Sequence, residues 1–148
     1  MLFRSVRGSY PQAIEQYREL LKLRGDNPLI HLKLARAYVS SKNYKDAMKE
    51  YLESTRLNPD DLEAHSELAA LAKKSGMNDM AEKQYREVLR LKKDDADARN
   101  ALTAIYVKNK NYDELTTLLK ESVALNPKDA TSHYKLGLVY EFKKDYEA

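Results

Sequence analysis

A chain of 148 residues, 43% apolar and 33% charged, is long enough to bury one domain core and too polar for a membrane span or too apolar for a disordered tail. Twenty-six Lys and Arg against 23 Asp and Glu leave a net charge of +3, with the signs interleaved rather than gathered into a nucleic-acid face. The absence of Cys removes a disulfide framework, thiolate catalysis and a thiolate zinc site.

The opening MLFRSVRGSY has no continuous apolar core before a cleavage site, so it is not a signal peptide and looks like the end of a helix. A helix is predicted next, with Tyr10, Ala13 and Tyr17 on one face, closing near Gly25. Asn27 and Pro28 then open a helix that carries Leu34 and Tyr38, and Lys42 and Asn43 end it. Tyr44, Ala47 and Tyr51 restate the earlier face, and Pro59 stops that helix. The same pair returns from Asp61, with Leu68 and Ala72 and then Ala81 and Tyr85. It returns again from Asp95, with Leu102 and Tyr106 and then Tyr112, Leu115 and Leu119 before Pro127. From Asp129 it reaches Leu136, Tyr140 and Tyr146. Corresponding residues lie 34 apart, and spacings of three, four and seven within a segment mark one buried helix face.

The punctuation has the same period. Asn27, Asp61, Asp95 and Asp129 carry short oxygen-bearing side chains able to accept the orphan amides of a helix start. Lys42, Lys73, Lys74, Lys108, Lys110, Lys143 and Lys144 gather where first helices end, where positive charge complements the helix dipole; that explains them without a phosphate-binding patch.

These residues resemble the tetratricopeptide repeat family along the whole chain. Leu34-Ala35, Tyr38, Tyr44, Ala47, Tyr51 and Pro59 form the best copy, with Gly8, Tyr10, Ala13 and Tyr17 another. Small Ala at 13, 47 and 81 lets a neighbouring helix approach, and the tyrosines fill the gaps. The chain departs from the pattern at Gly25 and Lys93 (for Pro), Leu115 (for Ala) and Lys42, Lys110 and Lys144 (for Gly). Asn43, Asn111 and Asp145 are expected to take the left-handed turn in place of the missing glycines. The resemblance implies an all-α fold, a right-handed α-solenoid of antiparallel helix pairs. Residues 1–148 are read as one domain fragment: a partial repeat 1–27, complete repeats 28–61, 62–95 and 96–129, and a partial repeat 130–148. With no polar capping helix at either end, the chain is expected to be a piece of a longer repeat protein.

Chemistry is hard to find. His31, His65 and His133 share one place in their repeats, too far apart for one ion at a helix-packing distance of about 8–10 Å, and are expected to pack between helices. There is no Gly-rich phosphate loop or GxSxG elbow, and Asp60-Asp61 and Asp94-Asp95 are explained as helix starts. We expect no enzyme, no cofactor, no metal, no nucleic acid and no membrane insertion, with the cytoplasm as the default compartment.

In the resembled family the first helices line a concave groove that takes peptides. Carried over by position, the groove comprises Leu29, Leu32, Arg36 and Val39, then Glu63, Ser66, Ala70 and Lys73, then Asp97, Asn100, Ala104 and Val107, and last Tyr134, Leu138 and Phe142. The last three form an apolar stripe distinct from the core stripe of Leu136, Val139 and Tyr140. Two readings fit it: a peptide-binding hot spot, or a surface that further repeats of a longer protein cover. The family's clamp for a C-terminal carboxylate is missing, because Leu32, Arg36, Glu67, Asp97 and Ala101 stand at its positions, or Ser66, Ala70, Ala101, Thr131 and Lys135 one repeat later. Acidic residues there would repel such a ligand. The expected partner is a protein or peptide of unknown identity held in the groove; the alternative is self-association, repeat ends stacking head to tail.

Overall fold

The computed structural model describes residues 9–147, with side chains as far as Lys144. Among them are eight helices and no strand: α1 (Tyr10–Arg24), α2 (Pro28–Ser40), α3 (Tyr44–Leu57), α4 (Leu62–Lys74), α5 (Asn78–Leu91), α6 (Ala96–Asn109), α7 (Tyr112–Leu125) and α8 (Ala130–Glu147). The fold is an all-α helical repeat of the solenoid class. Helices start at 28, 62, 96 and 130 and at 10, 44, 78 and 112, so the 34-residue period is one of backbone as well as of sequence. Gly8 and the side chain of Tyr146 lie outside the described residues, as does the helix end expected before residue 9.

The four first helices start with one device. Asn27 accepts from the amides of Leu29 and Ile30, Asp61 from Ala64, Asp95 from Ala98, and Asp129 from Thr131 and Ser132. These four caps satisfy amides that the first helical turn leaves orphaned. Before three of them the chain makes the same tight turn, closed by Asp61 N–H to Asn58 O, Asp95 N–H to Lys92 O and Asp129 N–H to Asn126 O. Pro59 and Pro127 sit second in that turn, where their fixed φ is favourable, and Lys93 keeps the turn without it.

The first helices end in a left-handed residue with paired backbone bonds. Asn43 N–H reaches Tyr38 O, Met77 N–H reaches Ala72 O and Asn111 N–H reaches Tyr106 O. The left-handed residues are Lys42 (φ 60°), Gly76 (φ 74°) and Lys110 (φ 58°), not Asn43 and Asn111 as expected. Asn43 (φ −89°) and Asn111 (φ −82°) stand at the N-caps of α3 and α7, a place that requires negative φ, so the reversal falls to the residue before. At Lys144 the expected break is missing and α8 runs on to Glu147.

The described chain forms two compact units, one ending at Gln84 and the other beginning at Tyr85. In the first, Ala35, Ala47, Tyr51, Ala64, Leu68 and Leu71 make a continuous core, with Tyr38, Tyr44 and Met48 packed against it. The alanines are fully buried, and Tyr51 packs in the same cluster at 3% exposure. In the second, Leu102, Ile105, Tyr106, Leu115, Leu119 and Val139 are buried. Tyr140, read as core, is 46% exposed and Leu136 only half-buried, because α8 is packed through its Val139 face alone. No helix among the described residues is long and apolar enough to cross a membrane.

Candidate functional site

The first helices of the first unit present Leu29, Arg36 and Val39 from α2, and Glu63, Ser66, Ala70 and Lys73 from α4. Leu32 is not among them. At 2% exposure it belongs to the core cluster and has no face to offer a ligand, since the helix turns position 32 toward α3 and α4 rather than outward. Arg36 is committed to the protein itself. Its Nε donates to both oxygens of Glu67 (3.1 and 3.0 Å), and its Nη2 to Glu67 Oε1 (2.6 Å) and Glu63 Oε2 (2.8 Å). Tyr51 Oη donates to the same Glu67 carboxylate at 2.8 Å.

This network ties α2 to α4 and closes on α3 beneath them. The hydrogen bonds to Glu67 and then Glu63 push the Arg36 guanidinium further above its already high range. Burial, then the bond to Glu67, raises the Tyr51 phenol. The partners of Arg36, 27 and 31 positions on, were not legible in the sequence, because they become neighbours only when successive first helices stack. Lys74 is likewise engaged, its Nζ lying 4.8 Å from the Tyr44 ring centroid and 3.2 Å from Tyr44 Oη.

The second unit presents more apolar surface. Val107 on α6 is 53% exposed, Tyr134 on α8 69% and Phe142 51%, with Leu138 half-buried between them; Asp97, Asn100 and Ala104 are exposed on α6. Phe142 stacks on Tyr112 of α7, with rings 6.3 Å apart and 7° from parallel, so part of it is structural. Lys143 pairs with Asp113 at 2.5 Å.

The histidines act as latches. His65 Nε2 lies 2.8 Å from the Pro59 carbonyl and its Nδ1 2.7 Å from Gln84 Oε1; His133 Nε2 makes the same 2.8 Å contact with the Pro127 carbonyl, though its ring is exposed. Arg99 fills the position between them in the period, and its Nε donates to the Lys93 carbonyl at 2.8 Å. His31 is buried with Nδ1 2.6 Å from Glu50, and its Nε2 faces Asp26 at 3.5 Å without a hydrogen bond. The role of Arg99 was missed, yet it was readable: it is the residue 34 positions after His65. Among the described residues no group of three His, Cys, Asp or Glu could hold a metal ion.

Residues 7–72 match the tetratricopeptide repeat family. No curated protein matches the sequence. Solved structures similar to the chain include MamA, with a TM-score of 0.67 at 22% identity over 95% of this chain and 82% of that one. MamA 41-end from Desulfovibrio magneticus RS-1 gives 0.64 at 20% identity over 99% and 86%. YrrB, described as a TPR protein with an unusual peptide-binding site, gives 0.69 at 20% identity over 97% and 73%. At these identities the likeness is one of fold. Together with the match and the period, it places the class: an all-α helical repeat of the tetratricopeptide type. The family match covers under half of the chain, and the 34-residue period carries the same pattern through the rest.

Proposed function

We propose that the chain is a non-catalytic scaffold that holds a peptide or helix of another protein on the outward stripe of its first helices. The observation that carries this is the aromatic surface of α8, where Tyr134 is 69% exposed beside Leu138 and Phe142, with Val107 exposed on α6. Large exposed aromatics with aliphatic neighbours are typical anchors, and few polar groups there need to be desolvated. The peptide-binding site of YrrB supports the reading, on the same fold. In the first unit Arg36 is already clamped between two carboxylates, so binding there would rely on Leu29, Ser66 and Lys73 around it.

Peptides selected from a displayed random library provide the test. Affinities for wild type and Tyr134→Ala are compared by fluorescence anisotropy, with thermal melting as the check on folding. A loss of about tenfold or more, or about 1.4 kcal/mol, at unchanged melting temperature supports the stripe. Equal affinity moves the site elsewhere.

A second reading is self-association. Tyr140 is 46% exposed although its counterpart Tyr106 is 3% exposed, so α8 offers apolar surface beyond the stripe. Light scattering decides it: a constant monomer mass up to high micromolar concentration removes this reading.

A further inference from the structure

The fourth residue of each first helix reaches back to the connection before it, and the first of the four differs from the rest. His65, Arg99 and His133 each bond the carbonyl six residues earlier, at Pro59, Lys93 and Pro127. On the forward side His65 Nδ1 lies 2.7 Å from the Gln84 amide of α5, and Arg99 Nη1 donates to the Leu118 carbonyl of α7 at 3.2 Å. At His31 the backward partner is missing. Six residues earlier stands Gly25 (φ 74°, ψ −171°), and the tight turn made before Asp61, Asp95 and Asp129 is not made before Asn27. The exposed carboxylate of Asp26 stands there instead, 3.5 Å from Nε2, while Nδ1 lies 2.6 Å from Glu50 of α3. Among the described residues, His31 Nε2 is the one buried side-chain polar atom without a hydrogen bond.

The forward partner fixes where the ring proton sits. An amide carries both an oxygen and an NH2, so Gln84 can donate to Nδ1 of a neutral His65 whose Nε2–H holds the Pro59 carbonyl. A carboxylate only accepts, so Nδ1 of His31 must carry the proton toward Glu50. The neutral ring then turns a bare Nε2 toward Asp26, and two acceptors face each other. Only the doubly protonated ring donates on both sides. The slot suits a cation: Arg99, permanently charged, fills it and donates both ways. The charged groups around His31 are Asp26 from the connection and, from α3, Glu50 and more distantly Glu53. Arg56 of α3 pairs with Glu53 at 2.9 Å and stands 4.0 Å from Asp26, and among the described residues no ion pair joins His31 to α1.

We propose that the junction between α1 and α2 is a proton-operated latch, in which imidazolium His31 donates from Nδ1 to Glu50 and from Nε2 to Asp26. Loss of the Nε2 proton frees Asp26 and loosens α1. That helix buries no residue of its own, so its hold on the unit depends on the junction more than that of its neighbours does. The latch is complete at low pH, where both ring nitrogens are protonated, and opens as pH rises through the range in which an imidazole gives up its proton. His65 makes no such switch, because Gln84 can turn its oxygen to a protonated ring or its NH2 to a neutral one.

Nuclear magnetic resonance of isotope-labelled protein at about pH 5 and about pH 8 is the test. Imidazole nitrogen shifts show which ring nitrogens carry protons, and amide exchange, corrected for the intrinsic rate at each pH, reports the hold on α1. At the lower pH both nitrogens of His31 should be protonated, and at the higher pH Nδ1 alone. The amides of residues 21–27 should exchange at least about tenfold more slowly, after correction, at the lower pH. Glu50→Gln allows a neutral ring to carry its proton on Nε2, so the latch should stay closed at both pH values and the contrast fall below about twofold. Asp26→Asn, able to accept or donate, should abolish the contrast as well. The amides of residues 62–65, at the junction held by His65, should keep one corrected rate. A proton on Nε2 rather than Nδ1 of the wild type at the higher pH, or equal corrected exchange at the two pH values, overturns the proposal; neither result depends on a variant folding. A contrast that survives either substitution, or appears equally at residues 62–65, overturns it too.

Discussion

Lys42 and Lys110 hold a left-handed backbone that costs an L-residue about 1–2 kcal/mol, whereas Gly76 adopts it without strain in the equivalent turn. Glycine also loses more freedom on folding, which offsets part of the gain. We therefore expect Lys42→Gly and Lys110→Gly each to stabilise the fold by about 0.5–1 kcal/mol, read as a higher urea midpoint at unchanged slope; a lower midpoint would mean that the lysine side chains contribute more than their backbone strain costs. At this scale much was legible. The four Asx caps follow directly from residue type and period, and all four make their bonds. The left-handed residue falls one position before each expected asparagine, because Asn43 and Asn111 stand at the helix N-cap position, where φ is negative. The clamp on Arg36 escaped notice for a different reason: nothing in a local window says which carboxylate 31 residues away will meet a guanidinium.

Among the elements, α8 has the most one-sided support. Its start is held by Asp129, whose carboxyl lies below the usual carboxylate range chiefly because the Ser132 hydroxyl donates to it, helped by the amides of Thr131 and Ser132. A lowered folded pKa means that this contribution is complete above the unfolded aspartate value of about 3.9 and is lost as pH falls below it through the folded value. The Thr131 and Ser132 amide resonances should therefore report a carboxyl titration below about pH 3.9, and Asp129→Asn should remove it. A midpoint at or above the free value would contradict the cap.

For the molecule as a whole, the helix starts were legible to the residue because period, cap and apolar face agree with one another. Depth of burial was not. Leu136 occupies the same place as Leu34, Leu68 and Leu102 yet is only half-buried, and Ala13 and Tyr17 are half-buried where Ala47 and Tyr51 are closed off. A position fixes which way a side chain points; its neighbours decide how much it is covered. Amide exchange should follow this grading, slowest in α2–α4 and in α6 and α7, fastest in α1, which buries no residue, and at the distal half of α8. Uniform protection across all helices would refute it. The sameness of the junctions has a consequence for inheritance. Because Asp61 caps α4 as Asp95 caps α6, after the same hydrogen-bonded turn, excising residues 62–95 would set Asp61 before Ala96 and write an intact boundary. Copy number can thus change by recombination between repeats without any single step that spoils a joint, while the substitutions that distinguish one copy from the next, such as Arg99 and Leu115, are free to accumulate new surfaces.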